Sequence, residues 1–296
     1  MKNNKIIPVV VFHVNGNQEY FKNCINLSAH NNKVYLIGDE SNMNTFIDNK
    51  NVEFINISEL ESNEITEFKK CFTNYSTNGY NYELNCFLRV FYLKIFLIKK
   101  NIQKAFHTDS DCVVLDNINN IFTKDSSIAY SIQKKVENAY HMVGSIHNSL
   151  LDINFCEKFI ELCFDIYGNK SKLNLIEPKI NWHKNNNIGG GICDMTIYYL
   201  IYSEKIIENI IDLNEILNIN NEEMIFDHNL SDAYGFDGEN TYEKNNNIKN
   251  IANNNNKYYF ITNNNQLIRT ITIHFQGGTK KVLELSYQSI KSSIEL

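Results

Sequence analysis

Two carboxylates separated by one residue, Asp109 and Asp111, are the strongest chemical signal in this sequence of 296 residues. Hard divalent ions such as Mg²⁺ and Mn²⁺ prefer oxygen ligands, and they commonly share them with a diphosphate. An isolated Asp-x-Asp is more often a solvated turn whose carboxylates accept hydrogen bonds from nearby backbone N–H groups. The pair therefore needs support from other residues.

His274 opens a second pattern, the segment 274–280, which reads His-Phe-Gln-Gly-Gly-Thr-Lys. A neutral imidazole can complete a metal shell, and Gly277 lets the backbone approach a phosphate. Lys280 can neutralise charge that grows on a leaving group. A lone histidine at a strand end is more often a core residue, so these residues alone leave both interpretations of His274 open.

The elements around these residues are predicted to form an α/β fold. Apolar runs and amphipathic segments alternate, which is typical of a parallel sheet with helices packed on it. Because the acidic turn follows a strand, its carboxylates are expected at a strand end, where open α/β sheets bind ligands. The predicted strands are 6–14, 34–37, 52–57, 105–107 and 112–115, and the predicted helices are 18–30 and 83–100.

The later part of the sequence contains runs of asparagine that are too polar to pack. Residues 240–265 are therefore predicted to form a long surface loop, interrupted by a short strand at 258–261. A glycine-rich segment, 188–195, is predicted to lead into a helix. The further predicted strands are 128–132, 140–146 and 270–275, and the further predicted helices are 152–167 and 196–211.

Composition and charge exclude several classes of function. A formal net charge of −6 disfavours a nucleic-acid partner, which normally requires a concentrated basic face. No uncharged apolar run approaches the roughly 20 residues of a transmembrane segment, so a soluble chain is predicted, with peripheral membrane attachment through residues 290–296 left open. Seven scattered cysteines without a C-x-x-C pair favour a reducing cytoplasm over a disulfide framework or a zinc site.

Two segments resemble glycosyltransferase family 8 and related enzymes of the GT-A fold. Residues 85–93 read Asn-Cys-Phe-Leu-Arg-Val-Phe-Tyr-Leu, and residues 105–115 read Ala-Phe-His-Thr-Asp-Ser-Asp-Cys-Val-Val-Leu. The resemblance implies that Arg89 lies near the donor phosphates. It also implies that the turn Asp109-Ser110-Asp111 binds the metal, Mn²⁺ or Mg²⁺, and the donor nucleotide.

The segment 274–280 is similar to the H-x-x-G-x-x-K element of the same family. The similarity implies that His274 is a metal ligand and that Gly277 and Lys280 contact the diphosphate. Lys281 and Val282 stand where the family usually continues with Pro-Trp, which allows a phosphate clamp of different shape.

The resemblance spans most of the chain and implies one GT-A-like catalytic domain over residues 1–296. Its fold would be a Rossmann-type mixed sheet flanked by helices. Residues 1–120 would form the nucleotide-binding half, and residues 121–296 the half that binds the sugar and the acceptor.

The segment 187–194, which reads Asn-Ile-Gly-Gly-Gly-Ile-Cys-Asp, resembles the family's Asn-Ala-Gly strand, which forms the floor of the sugar pocket. Small residues are needed where a sugar ring lies against the backbone. This likeness implies donor contacts for Asn187, Gly189 and Gly190, and a glycine-rich turn before a helix is the alternative. Asp194, which ends the segment, is a candidate catalytic residue.

Glu222 and Glu223 occupy the place of the family's Asp-Gln-Asp element, which faces the donor sugar. They are candidate catalytic residues that could orient the acceptor, act as a base or stabilise positive charge on the anomeric carbon. The alternative is the charged first turn of a surface helix.

Residues after the first two predicted strands are candidates for holding the nucleoside. His13 and Asn15 end the first strand, and Asp39 follows the second. A wall for the base and a carboxylate for the ribose hydroxyls are the groups such a site needs. Asp39 could equally be a turn residue after Gly38.

Together these features predict a metal-dependent glycosyltransferase that uses a nucleotide-diphosphate sugar. The family resemblance implies a UDP-sugar, transfer of a hexose and retention at the anomeric carbon, to a glycan, lipid-linked or protein acceptor. The departure from the family's pattern at Glu222 leaves inversion as the alternative. A sugar-phosphate nucleotidyltransferase is an alternative, although the first strand is not followed by a basic glycine-rich loop. A non-catalytic module that binds a nucleotide sugar or a glycan is the other alternative.

Overall fold

The computed structural model describes residues 6–231 and 242–294. The strands are β1 (Val9–His13), β2 (Val34–Gly38), β3 (Val52–Asn56), β4 (Lys104–Thr108), β5 (Cys112–Val114), β6 (Ala129–Ile132), β7 (Gly144–Asp152), β8 (Ile211–Asp212), β9 (Leu217–Ile219), β10 (Glu222–Phe226), β11 (Lys244–Asn245), β12 (Ile248–Lys249), β13 (Ile251–Asn254), β14 (Lys257–Ile261) and β15 (Leu267–His274). The α-helices are α1 (Glu19–Asn31), α2 (Asn63–Cys71), α3 (Tyr80–Lys99), α4 (Ile153–Cys163), α5 (Glu177–Asn186), α6 (Asp194–Ser203) and α7 (Lys280–Ile294).

The larger sheet is mixed, with the strand order β3-β2-β1-β4-β7-β6-β8. Strands β1 to β4 are parallel, whereas β7 runs antiparallel to β4 and β6. Side chains alternate across β1: Val10 packs with residues of α3, α4 and α6, and Val9 and Val11 pack with residues of α1. The predicted α/β class, a mixed sheet flanked by helices, is confirmed.

The smaller sheet joins distant parts of the chain. Its order is β13-β14-β15-β10-β9, and β5 pairs with β15 in antiparallel register, with Cys112 opposite His274. This pairing brings the residue after Asp111 next to the predicted metal ligand. The pairs β4–β7 and β5–β15 each join a strand from residues 1–120 to a strand from residues 121–296. The two predicted halves therefore share both sheets, and the division into a nucleotide half and a sugar and acceptor half stays a prediction.

The asparagine-rich segment is the main correction to the sequence prediction. Residues 240 and 241 lie outside the described residues, but the chain from 242 onward forms β11 to β14 and is not a long loop. The turns of its two hairpins are Asn246-Asn247 and Asn255-Asn256, whose φ angles lie between 50° and 63°. Asparagine tolerates this left-handed region and suits two-residue hairpin turns. These asparagines therefore mark turns between strands.

Several element boundaries also differ from the sequence prediction. The long helix predicted at 83–100 is α3, but the strand predicted at 140–146 begins only at Gly144, after a 3₁₀ turn over 139–141. The helix predicted at 196–211 begins earlier, at Asp194, and ends at Ser203. Lys205, with φ 52°, takes the left-handed conformation in which helices commonly end.

Within residues 6–231 and 242–294, none of the helices combines the length and the apolar character needed to cross a bilayer. All seven cysteines are free, and Cys24 and Cys112 are among the buried ones. Burial raises the pKa of both of these thiols well above the usual value.

Candidate metal and donor site

The acidic turn connects the central strand β4 to β5. The backbone N–H of Asp109 donates to the carbonyl of His147 on β7 at 3.0 Å, and the N–H of Cys112 donates back to the Asp109 carbonyl at 3.1 Å. Both ends of the turn are therefore fixed by backbone hydrogen bonds. The two carboxylates lie at the carboxyl end of a parallel strand, as predicted.

The carboxylates of Asp109 and Asp111 and the imidazole of His274 form one cluster. One potential ligand atom from each lies within 4.8 Å of the others. At metal–ligand distances of about 2.0–2.2 Å, two ligands on opposite sides of one ion are about 4.0–4.4 Å apart. The separations and the chemistry of the donor set thus fit a divalent metal.

His274 is oriented for this role by its neighbours. Its Nδ1 lies 2.6 Å from the carbonyl oxygen of His228, and because a carbonyl only accepts, Nδ1 carries the proton there. Nε2, 3.2 Å from Asp111 Oδ1, is then the atom available to a metal. Burial opposes protonation of His274, but the hydrogen bond and charge of Asp111 outweigh it and raise its pKa to about 9.

Arg89 holds the other carboxylate. Its guanidinium donates to Asp109 Oδ1 at 2.7 Å and to Asp194 Oδ2 at 2.6 Å, and its side chain is largely buried. Burial raises the pKa of Asp109, but the charge of Arg89 outweighs it and lowers that pKa overall. Asp194 also accepts from the hydroxyl of Tyr198 at 3.1 Å. Arg89 and Asp194 therefore form a support that positions Asp109.

Lys280 is the first residue of α7 and lies beside the cluster. Its Nζ is 3.1 Å from Asp111 Oδ2 and 4.3 Å from the centre of the Tyr20 ring. Gly277 has φ 59°, the left-handed region that favours glycine, and a Cβ atom there would meet nothing within 4 Å. The backbone at Gly277 is therefore open to an approaching group.

The predicted nucleoside residues lie at the ends of β1 and β2 and are tied to one another. His13 Nδ1 lies 2.9 Å from Ser110 Oγ, which links this group to the acidic turn. Asn15, in the left-handed region with φ 64°, donates its backbone N–H to Asp39 Oδ2 at 2.7 Å. The other oxygen of Asp39 accepts from the backbone N–H of Ser41 at 2.9 Å. Asp39 thus fixes these two loops together.

The glycine-rich segment forms a wall against residues 75–77. Gly190 donates to Thr77 Oγ1 at 2.8 Å, and a Cβ at Gly191 would lie 2.1 Å from the Tyr75 carbonyl oxygen, so only glycine fits there. Asn187 takes the left-handed conformation that ends α5. Gly189 and Gly190 line a cavity that also contacts Gly277.

Glu222 and Glu223 lie at the opposite end of their strand from the metal cluster. Glu222 is paired with Arg269 at 2.5 Å and Lys257 at 3.2 Å, and Glu223 accepts from the side chain of Gln266. Arg269 precedes His274 by five residues on β15, a separation of roughly 16 Å along a strand. The structure does not bring the two glutamates to the cluster, and they begin a strand, not a helix.

Sequence reasoning missed a buried ion pair behind His274. Asp227, which follows β10, accepts the backbone N–H of His274 at 3.0 Å and is paired with Lys249 Nζ at 2.7 Å. The side chains of Asp227 and Lys249 are 0% and 1% exposed. The only available signal was a charge at the end of an apolar run, Met224–Phe226, within a segment that ends in Asp227-His228-Asn229.

No protein-family model and no curated protein matches the chain. Among solved structures, the apo form of mouse xyloside xylosyltransferase 1 is 12% identical over 70% of this chain and 84% of that chain, with a TM-score of 0.45. The apo-form glycosyltransferase GlyE of Streptococcus pneumoniae TIGR4 is 12% identical over 71% of this chain and 46% of that chain, with a TM-score of 0.33. A glycosyltransferase involved in the glycosylation of the major capsid of PBCV-1 is 10% identical over 70% of this chain and 82% of that chain, with a TM-score of 0.33. Because these TM-scores are low, we base the function on the geometry of the site.

Proposed function

We propose that this chain is a metal-dependent glycosyltransferase that uses a nucleoside-diphosphate sugar. The observation that carries the proposal is the cluster of Asp109, Asp111 and His274 at the strand ends, with Lys280 3.1 Å from Asp111. Oxygen and imidazole ligands beside a lysine fit a divalent ion that shares its coordination with a diphosphate.

The three ligands would hold Mn²⁺ or Mg²⁺. When bound, the ion supplies Lewis-acid stabilisation of the charge that develops on the diphosphate. Arg89 keeps Asp109 ionised and correctly oriented, and Asp194 in turn orients Arg89. We therefore retain Asp194 as a residue that acts through Arg89, and we assign no catalytic contact to Glu222 or Glu223.

Lys280 and Gly277 are proposed to contact the diphosphate. As the bond between the anomeric carbon and the diphosphate oxygen breaks, negative charge grows on the leaving group, and the Lys280 ammonium neutralises part of it. The N-terminus of α7, which begins at Lys280, adds a favourable dipole for an anion. The open backbone at Gly277 lets the phosphate approach closely.

The nucleoside is proposed to lie at the ends of β1 and β2, beside His13, Asn15 and Asp39. Ser110 links this position to the acidic turn through its contact with His13. The sugar would lie against Gly189 and Gly190, which line the cavity. The donor contact of Asn187, which lies outside that lining, stays a prediction. The resemblance to family 8 supports uridine as the nucleoside, a hexose as the sugar and retention at the anomeric carbon. The cytoplasmic location stays a prediction.

Thermal-shift measurements with UDP-, GDP-, CMP- and dTDP-sugars, each with and without Mn²⁺, test this proposal. A ligand that binds only the folded state raises the melting temperature. We expect a shift with a UDP-sugar that requires Mn²⁺ and is lost in Asp109→Asn. Absence of a metal-dependent shift with every donor would overturn the proposal, and a shift without any hydrolysis or transfer would indicate a non-catalytic binding module.

A further inference from the structure

A cavity of about 790 Å³ is lined by residues adjacent in sequence to the metal cluster, among them Gln276 and Gly277. At one end it contacts Gly277 and His228, whose carbonyl orients His274. The glycine-rich wall, Tyr140 and His183 also line it. Its volume is within the range of small-molecule sites. The cavity therefore offers room beyond a donor sugar at the metal.

Three buried side chains that line this cavity have a hydrogen-bond acceptor without a partner. The atoms are Glu83 Oε2, Gln133 Oε1 and His183 Nε2. In His183, Nδ1 lies 3.0 Å from the Ile188 carbonyl oxygen and so carries the proton, which leaves Nε2 as an acceptor. Buried polar atoms are normally satisfied, so three such acceptors around one cavity point to a ligand with several donor groups.

The cavity lining includes an exposed aromatic side chain, Tyr140. The Tyr140 side chain is 43% exposed, and its ring centre lies 5.1 Å from that of Trp182 and 5.8 Å from that of His183. These neighbours hold the Tyr140 ring in place. A fixed, half-exposed aromatic face suits the apolar C–H face of a sugar ring, whose hydroxyls remain free for polar groups.

The lining also argues against an acyl chain and against a strongly charged acceptor. Val143 and Met195 are the only branched-aliphatic or thioether side chains among the described residues that line the cavity. The acidic and the basic side chain of the lining, Glu83 and Lys179, carry opposite charges that offset each other. Lys179 Nζ is engaged with the Met142 carbonyl at 2.9 Å.

We propose that the part of this cavity around Tyr140 and His183 is the acceptor subsite and that the acceptor is a neutral saccharide. Its hydroxyls donate to Glu83, Gln133 and His183, and one of its rings packs against Tyr140. This inference rests on the proposed function, because it takes the reaction centre to lie at the metal end of the cavity. It selects a glycan over a lipid-linked or protein acceptor recognised through other chemistry.

A glycan array, probed with the whole protein in the presence of UDP and Mn²⁺, tests the inference. We expect the wild-type protein to bind at least one mono- or oligosaccharide. Tyr140→Ala should weaken that binding about tenfold, the scale of one aromatic contact, and Tyr140→Phe should retain it. Tyr80→Ala is the matched control, because Tyr80 is 46% exposed and lies outside the cavity lining.

A second variant tests the hydrogen bonds between the saccharide and the cavity. Glu83→Gln keeps the shape of the side chain but replaces one acceptor oxygen by a donor NH₂, so we expect weaker binding of the same saccharide. Titration of that saccharide in solution can be followed by fluorescence, because Trp182 is the single tryptophan of the chain and contacts Tyr140.

The outcomes separate this inference from the proposed function. If UDP with Mn²⁺ raises the melting temperature but no glycan binds, or if binding survives Tyr140→Ala, the acceptor subsite is wrong and the donor site stands. If UDP with Mn²⁺ produces no shift, the proposed function itself fails.

Discussion

Two aspartate–lysine pairs lie beside His274, each contacting it through its aspartate, and they differ in their access to solvent. Asp111 and Lys280 meet the imidazole side, with side chains 15% and 31% exposed, whereas Asp227 and Lys249 meet the backbone side at 0% and 1%. A partly exposed pair can exchange its partners for a ligand. A fully buried pair cannot, because separating it leaves a charge without water or counter-ion.

The same contrast explains the positions of the two pairs. Asp111–Lys280 faces the place where a metal and a diphosphate would bind, and both side chains can turn towards them. Asp227–Lys249 ties the hairpin strand β12 to the end of β10 and fixes the backbone of His274. One pair is proposed to carry the chemistry, and the other positions a ligand for it.

The largest effect is expected from breaking the buried pair. Lys249→Met leaves Asp227 buried without its cation, and we expect the free energy of unfolding to fall by about 3–5 kcal/mol. Urea denaturation measures this change. Lys280→Met is the matched comparison, since a partly exposed pair contributes only about 0–1 kcal/mol. Equal losses in the two variants would contradict the distinction.

Asp111→Asn should leave the fold intact and remove a ligand of the proposed metal. We expect donor-dependent turnover to fall about 10²- to 10³-fold, the cost of removing one strong electrostatic contact to the transition state. The Mn²⁺-dependent thermal shift should also be lost. Asp125→Asn, at an exposed aspartate outside the cluster, is the control. Unchanged turnover in Asp111→Asn would rule out the metal site.

Lys280→Met should reduce turnover less than the loss of a metal ligand. A hydrogen bond to a charged group contributes about 1.5–3 kcal/mol, which corresponds to about 10- to 100-fold in rate. Steady-state kinetics measure this loss of turnover in Lys280→Met. Lys281→Met, at the neighbouring exposed lysine, is the control. A similar loss in both variants would point to a general charge effect and not to contact with the diphosphate.

The raised pKa of His274 predicts a pH dependence with opposite signs for stability and for metal affinity. Its folded-state pKa of about 9 lies above the unfolded value of about 6.5. When a chelator keeps the protein free of metal, the stabilisation that protonated His274 provides is present below about pH 6.5 and is lost as the pH rises through 9. Mn²⁺ must displace the proton, so its affinity should rise up to tenfold per pH unit below 9.

Melting temperatures from pH 6 to 9.5, with chelator or with Mn²⁺, check both signs. His274→Gln serves as the variant that cannot titrate at this position. If the wild-type protein and His274→Gln respond identically to pH under both conditions, His274 does not titrate as described.

Local sequence patterns predicted the surroundings of the Asp111–Lys280 pair well. The acidic turn, the Arg89 helix and the segment 274–280 all have short-range signatures, and the structure brings Asp109, Asp111, His274 and Lys280 together. The alternating apolar runs also predicted the α/β class and the positions of the first strands. Each of these features depends on residue type and spacing within a few turns of the chain.

The surroundings of the Asp227–Lys249 pair depend on contacts between distant residues, which sequence spacing does not reveal. Lys249 stands in a segment whose asparagines suggested a loop, and its partner Asp227 is 22 residues away. The glycine-rich wall likewise pairs with Thr77 across 113 residues. Glu222 was expected at the sugar because of its place in the sequence order, but parallel pairing of β10 with β15 puts it beside Arg269.

The thiol of Cys112 offers a view of how often this site opens. Cys112 follows Asp111 and is buried in the strand that pairs with β15, and its thiol lies 3.2 Å from Asn148 Oδ1. Only a thiolate reacts readily with an alkylating reagent, and burial disfavours that form here. Alkylation of Cys112 therefore requires β5 to separate from β15. Its rate measures how often the strands that carry Asp111 and His274 come apart. We expect this rate to fall when a bound ligand holds Asp111 and His274 together.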